Sequence, residues 1–250
     1  MSHDNYIRVI SDPPLDGPSN MARDEALMTR VGCAKSPPTL RLYAWAPPTI
    51  SLGYFQHYAD FERLDEPAGS LAVVRRLTGG GAILHDLELT YSLSLPTGHA
   101  LLADGPNELY VAAHDAVIAS LAELDVAGAP GGFTDDSGAA KGPFFCFERR
   151  HALDVLVGNN KIAGSAQRRT KDATLQHGSI ILGNRFDQQQ TATPAVDFAT
   201  ALERLRGLFV KHFAARTGQT LIDGEWDNAE HTDADALRPK YAGNEWTRRA

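Results

Sequence analysis

A cysteine set among phenylalanines, Phe144-Phe145-Cys146-Phe147, lies in a stretch of concentrated positive charge. Residues 141–171 carry Lys141, Arg149, Arg150, Lys161, Arg168, Arg169 and Lys171 against Glu148 and Asp154, a net of +5 inside a chain of net −7. Positive neighbours favour the thiolate, which makes Cys146 a candidate nucleophile. A cysteine among aromatic residues is equally the ordinary setting of an inert buried thiol, and both readings stay open. Cys33, in Gly32-Cys33-Ala34, has no such surroundings. The basic run itself reads either as a surface for an acidic partner or phosphate, or as a solvated face.

A second constellation is Arg75-Arg76-Leu77-Thr78-Gly79-Gly80-Gly81-Ala82. Three glycines directly after a strand leave backbone N–H groups open to a phosphate or carbonyl, although a flexible hairpin turn has the same composition. Consecutive arginines on a strand face opposite sides, so at least one of them meets the core or a cleft, where an unpaired charge is costly. An anionic ligand would remove that cost. The segment matches neither a nucleotide P-loop nor a dinucleotide fingerprint, and HExxH and GxSxG are absent from the chain. His85, His151 and His177 have acid–base chemistry, yet each alone reads equally as a hydrogen-bonded structural histidine. Two distant cysteines without a CxxC pair give no zinc spacing and no disulfide framework, so no metal is expected.

These residues need elements to hold them. A strand is expected over 6–10, then a helix capped by Ser19 and ended by Gly32, with Met21, Leu27, Met28 and Val31 on one face. Runs 40–45 and 49–54 read as two strands with a tight connection at Pro47-Pro48. Residues 71–95 read as strand, glycine turn, short strand, acidic turn and strand. Leu109, Ala113, Val117, Ile118 and Leu121 predict an amphipathic helix over 107–124, capped by Asn107, and 126–143 is loop chemistry. A hairpin follows, with 152–157 and the residues from 161 joined by a turn at 158–160, then a strand over 175–182 and a helix over 196–215. The tail beyond loses clear periodicity. This order predicts an α+β domain with mixed, largely antiparallel sheets flanked by helices.

Composition narrows the class. With 250 residues, 43% hydrophobic and 22% charged, the chain is expected to form one soluble domain over 1–250. The acidic balance removes the global basic footprint of a nucleic-acid binder. No apolar run approaches the roughly 18 residues of a membrane span, and the N-terminus lacks a signal peptide's basic start and apolar stretch. A cytoplasmic protein with reduced thiols is expected, with neither nucleic acid nor membrane as partner.

The segment RRLTGGGAILHDLELTYSLSLP at 75–96, followed by KIAGSAQRRTKDATLQHGSIIL at 161–182, resembles the lipoate/octanoate branch of the biotin/lipoate protein ligase superfamily. NMARDEALM at 20–28, PPTISLGYFQ at 47–56 and KYAGNEWT at 240–247 are similar to that family too, so the likeness spans nearly the whole chain. It implies the class II biotin/lipoate ligase-like fold, with no separate C-terminal accessory domain. It also implies that Arg75, Arg76, Gly79, Gly80, Gly81 and His85 surround the acyl chain and its carboxyl end. Lys161 would meet the reacting carbonyl or an adenylate phosphate, with Gly164, Ser165, Gln176, His177 and Gly178 at the same pocket.

Within the branch, the chain is most similar to octanoyltransferases of the LipM type, which place a catalytic cysteine 15 residues before the motif lysine, as Cys146 stands to Lys161. That group often has an arginine where Gly81 sits, and often Pro-Ser after the cysteine, where this chain reads Glu148-Arg149-Arg150-His151. The resemblance implies transfer of an octanoyl or lipoyl group from an acyl carrier protein through acyl-Cys146 to a lysine of a lipoyl domain. Acceptors of this class are the glycine-cleavage H protein and the E2 subunits of 2-oxoacid dehydrogenases. No cofactor is expected for that reaction. The alternatives are ATP- and Mg²⁺-dependent ligation of free lipoate, and a non-catalytic relative that binds lipoyl domains.

Overall fold

The computed structural model describes residues 6–132, 143–149 and 151–249. The chain runs β1 (Ile7–Ser11), α1 (Gly17–Gly32), β2 (Thr39–Tyr43), β3 (Thr49–Leu52), α2 (Tyr58–Phe61), β4 (Ala72–Arg75), β5 (Ile83–His85), β6 (Glu88–Pro96) and α3 (Pro106–Ala122). It continues through β7 (Ala129–Pro130), β8 (Val155–Val157), β9 (Asn160–Arg169), β10 (Ala173–Ile181), α4 (Phe198–Thr217), β11 (Leu221–Asp223), α5 (Asn228–Ala242) and α6 (Asn244–Thr247). Eight strands make one sheet in the order β11-β1-β2-β6-β10-β9-β8-β7, and β4-β3-β5 make a second. Six of the nine strand pairings among the described residues are antiparallel, which gives the mixed, largely antiparallel architecture expected.

Both faces of the large sheet are covered, and strand alternation shows how. On β2, Leu40 and Leu42 enter the core formed with α3 and α4, whereas Tyr43 packs with Met21, Ala22 and Met28 of α1. On β6, Leu89, Tyr91, Leu93 and Leu95 join the α3/α4 core. The alternate residues Glu88, Thr90 and Ser92 face the other way and are equally buried. A row of buried polar groups on that face is costly unless each finds partners, and this is where the site lies. Phe145 docks the cysteine segment into the small core around Ile50, Leu52 and Leu84 of the second sheet.

Several expectations are corrected. Runs 40–45 and 49–54 do not form adjacent strands, because β2 lies in the large sheet and β3 in the small one, and Pro47-Pro48 carry the chain between them. The glycine run is not a hairpin turn: β4 and β5 do not pair with each other but flank β3, one parallel and one antiparallel. Helix α1 is capped by Asp16, whose side chain accepts from the Ser19 N–H, and α3 begins at Pro106 after Gly105 rather than at Asn107. Part of the expected loop is the short strand β7, while 133–142 lie outside the described residues. The tail forms α5 and α6, with Asp227 and Glu230 as a reciprocal capping box. Among the described residues no helix is long and apolar enough to cross a membrane.

Candidate active site

The glycine loop is shaped from inside by an arginine. The buried Arg76 guanidinium donates to the carbonyls of Ser51 (2.9 Å), Gly79 (2.6 Å) and Gly81 (2.7 Å), and to the Thr78 hydroxyl at 3.1 Å. Burial lowers its pKa to about 10, so the guanidinium stays charged at neutral pH. Arg75 donates to the carbonyls of Gly53, Tyr54, Gln56 and Thr247, and thereby clamps α6 to the small sheet. The unpaired charge expected at this pair is therefore absent: main-chain carbonyls satisfy both side chains, and Arg75 serves the scaffold. Arg76 does line the cavity described below.

The shaped loop receives the cysteine segment. The Ala82 N–H donates to the Phe144 carbonyl at 2.9 Å, and the Cys146 N–H donates to the Ala82 carbonyl at 2.7 Å. Gly81 allows this approach, since an added Cβ would stand 2.9 Å from the Cys146 nitrogen and 3.0 Å from the Phe144 oxygen. The buried Phe145 and Phe147 anchor the turn on either side and leave Cys146 only partly buried.

Lys161 on β9 reaches the same point from the opposite side. Its ammonium lies 3.8 Å from Cys146 Sγ, 3.5 Å from the Cys146 carbonyl oxygen and 2.9 Å from Asp154 Oδ1. The Asp154 carboxylate is itself held by the His151 N–H at 2.8 Å. Burial alone would lower the lysine pKa, but Cys146 and the Asp154 carboxylate outweigh it and hold the group above the ordinary lysine value. Lys161 is thus a fixed cation beside the sulfur.

Two cavities meet here. The more enclosed one, a narrow slot, runs between Met21, Tyr43, Trp45, Ile83 and Phe147. A more open one is lined by Tyr110, His114, Asp154 and Lys161. Gly80, Cys146 and Ser165 line both, so the thiol sits at the junction of a narrow slot and a more open vestibule. The exposed wall of the slot is mostly apolar although Arg76, His85, Thr90 and His177 line it, and such a wall suits an alkyl chain with a reactive carbonyl at one end.

The remaining residues read from the sequence take distinct places. His85 is a wall of the enclosed cavity, stacked on Trp45 at 3.8 Å, with Nε2 at 2.8 Å from the Ser51 hydroxyl and Nδ1 at 2.8 Å from Glu88. Burial lowers its pKa despite the neighbouring Glu88. His177 bridges Asp24 (3.2 Å) and Thr78 (2.6 Å), and so ties the glycine loop to α1. Gly164, Ser165, His177 and Gly178 line the enclosed cavity. Gln176 instead turns toward α3 and donates to the Tyr91 hydroxyl and the Leu109 carbonyl. His151 lines the vestibule.

The basic run does not make one surface. Lys161 is buried and paired, Arg168 lies over Tyr54 at 5.1 Å, and Lys141 and Arg150 lie outside the described residues. Sequence reasoning also missed Asp154, Tyr91 and His114. The last stands on the buried face of α3 next to Ala113, so a histidine on an apolar stripe was the available signal.

A model described as lipoyl protein ligase A/B catalytic domain matches residues 16–201. The chain is 35% identical over 271 residues to Octanoyltransferase LipM of Moorella thermoacetica, covering 96% of this chain and 95% of that protein. To Octanoyltransferase LipM of Symbiobacterium thermophilum it is 36% identical over 261 residues, covering 93% and 94%. Among solved structures, lipoate-protein ligase A bound with ATP superposes with a TM-score of 0.71 at 22% identity, covering 97% of this chain and 98% of that one. A bi-partite lipoate protein ligase from Thermoplasma acidophilum does so at 0.69 and 21%, covering 98% and 96%. At those identities the two structures speak for the fold, which is that of the lipoate ligases. The extent of the family match and the near-complete sequence relatives agree: the chain belongs to the lipoyl protein ligase A/B catalytic domain family.

Proposed function

We propose that this protein is an octanoyltransferase of protein lipoylation, moving an octanoyl group from an acyl carrier protein thioester to a lysine of a lipoyl domain through a thioester on Cys146. The observation that carries the reading is the Lys161 ammonium 3.8 Å from Cys146 Sγ, at the junction of an enclosed apolar cavity and an open vestibule. The near-full-length relatives named Octanoyltransferase LipM support the same activity.

The octanoyl chain enters the enclosed cavity, where each buried methylene contributes about 0.8 kcal/mol. Cys146 thiolate attacks the thioester carbonyl, the new C–S bond forms, and the carrier's C–S bond breaks with its sulfur leaving as thiolate. Lys161 faces the developing negative charge on the carbonyl oxygen and sulfur. Held above the ordinary lysine value, it keeps its proton and acts as an electrostatic partner rather than a base. The acceptor amine then enters from the vestibule, attacks the acyl-enzyme carbonyl and expels Cys146 as thiolate. Arg168 and Arg249, both over the Tyr54 ring, supply positive charge suited to an acidic carrier or lipoyl domain.

The donor decides between this reading and ATP-dependent ligation. Apo lipoyl domain is offered octanoyl carrier protein without ATP, or free lipoate with ATP and Mg²⁺. Modification in the first mixture is expected. Modification only in the second, with AMP release that survives Cys146→Ala, would establish the ligase instead. Binding without modification in either mixture would leave a non-catalytic module.

A further inference from the structure

A chain of hydrogen bonds runs from the reaction junction into the α3 side of the large sheet, and its polarity can be worked out. His114 Nδ1 faces the Leu153 carbonyl, which only accepts, so the ring proton sits on Nδ1 and Nε2 is a bare acceptor. Ser165 Oγ lies 2.6 Å from that Nε2, so its hydroxyl proton points at the histidine. Tyr91 O–H, 2.6 Å away, then donates to Ser165 Oγ, and Gln176 Nε2 donates to Tyr91 at 3.1 Å. The Gln176 amide is oriented by the Leu109 carbonyl, which again only accepts. Every link thus runs toward His114, and one lone pair of Ser165 stays uncommitted among the described residues. The opening for Ser165 is made by Gly178, where an added Cβ would stand 2.4 Å from Oγ.

The position matters because Ser165, with Gly80 and Cys146, lines both cavities at their junction, where an acyl carbonyl on Cys146 must lie. Amide formation there needs a proton acceptor for the attacking amine. Lys161 is held by the Asp154 carboxylate beside the sulfur, whereas the Ser165 hydroxyl has an uncommitted lone pair and a proton path to His114.

We infer that Ser165 and His114 form a proton relay for the acceptor lysine in the second half-reaction, a deepening that rests on the acyl-Cys146 reading. The neutral amine attacks the acyl-enzyme carbonyl and forms the C–N bond. Its N–H proton passes to Ser165 Oγ as the Ser165 proton passes to His114 Nε2, the C–S bond breaks, and Cys146 leaves as thiolate facing Lys161. The imidazolium then releases its proton to solvent through the vestibule, which His114 also lines. His114 is a positioning residue in this scheme, acting through the hydroxyl that meets the amine.

Burial lowers the His114 pKa and outweighs the Leu153 carbonyl, Asp154 and Asp115, which raise it, while Lys161 lowers it further. Tyr110 and Asp115 face it from α3, Tyr91 reaches it through Ser165 from β6, and Cys146, Arg149 and His151 share its vestibule. The base form exists above the His114 pKa, so transfer must slow as pH falls through it.

The test separates the two half-reactions by intact mass. Full-length enzyme is first acylated with octanoyl carrier protein, then mixed with apo lipoyl domain across a pH series. In His114→Gln and in Ser165→Ala, transfer is expected to fall roughly 10²-fold or more, and at least tenfold further than acylation of Cys146 falls in the same variant. Protonation of the acceptor lysine, whose ordinary value is about 10.4, slows every variant alike as pH falls. With each rate divided by the fraction of neutral amine, the further fall of wild-type transfer below about pH 6.5 is expected to vanish in His114→Gln. Equal slowing of both half-reactions, or a further fall that survives in His114→Gln, would overturn the relay while leaving the acyl-enzyme intact. Absence of any octanoyl adduct on the wild type would remove the acyl-enzyme reading and the relay with it.

Discussion

Gly164 lies so close beneath the Lys161 side chain that a Cβ added there would stand 2.3 Å from its Cε and 2.6 Å from its ammonium nitrogen. The same Cβ would meet Asp154 Oδ1 at 3.2 Å. The lysine therefore reaches the cysteine across a position where only glycine leaves room. Gly164→Ala is expected to push the flexible lysine tail away from Sγ. Formation of acyl-Cys146 should slow by about 10²-fold, the scale of losing one oxyanion donor, while overpacking costs stability about 1–3 kcal/mol. Stopped-flow acylation and urea denaturation measure the two effects. A variant that acylates at the wild-type rate would show that Lys161 is not needed near the sulfur.

Lys161 and Asp154 form an almost fully buried ion pair, with side-chain exposures of 4% and 7%. Removing one partner strands the other, so Lys161→Met is expected to cost about 3–5 kcal/mol and to abolish acyl transfer. In Lys161→Met with Asp154→Leu no charge is left stranded, and most of the stability should return without the activity. Urea midpoints of the two variants check this. A double variant no more stable than the single one would contradict the ion-pair account.

Gly81 sets the contact between the glycine loop and the cysteine turn. Gly81→Ala places a Cβ against the Cys146 main-chain nitrogen and the Phe144 carbonyl, so the turn must move off the loop. Acyl transfer is expected to fall at least tenfold, and alkylation of Cys146 by iodoacetamide should change in rate. Wild-type values for both would show that the turn does not depend on this contact.

Two buried histidines tie stability to pH. Burial lowers the folded-state pKa of His85 and His114 from 6.5, so below that value the unfolded chain binds more protons than the folded one. Their neutral forms stabilise the fold fully above about pH 6.5, and that contribution is lost as pH falls toward their folded values. Asp12 and Asp24 are buried, which alone would raise them, but Arg41 and, at Asp24, His177 hold them below 3.8. Their contribution is lost in turn as pH falls below that value. The urea midpoint is expected to be lower at pH 5.5 than at pH 8. An equal or higher midpoint at pH 5.5 would contradict the burial of these imidazoles as neutral groups.

Much of this organisation was legible in the residues themselves. The alternation of Leu89, Tyr91, Leu93 and Leu95 marks β6, and the motif spacing brings Cys146 and Lys161 forward, which the fold places 3.8 Å apart. The arginine pair was legible only in part: strand geometry predicts that at least one meets the core, whereas both are buried, and several of the carbonyls that satisfy them come from Ser51, Gly53 and Thr247, distant in the chain. The tail misled because only Glu230, Ala234 and Tyr241 of α5 are buried, a stripe too narrow for periodicity to show, although Asp227-x-x-Glu230 carried the capping signal. Asp154 and His114 were not legible as site residues. What makes them so is three-dimensional closeness to Lys161 and Ser165, which no local pattern encodes.

Cys146 is the residue expected to carry the octanoyl group. Intact mass after incubation with octanoyl carrier protein, without ATP, tests it directly. The wild type is expected to gain the mass of one octanoyl group, lost again on addition of apo lipoyl domain as that domain gains it, while Cys146→Ser gains no thioester and transfers nothing. A wild type that stays unmodified while the lipoyl domain is octanoylated, or a Cys146→Ser variant that transfers at the wild-type rate, would contradict an acyl-Cys146 intermediate.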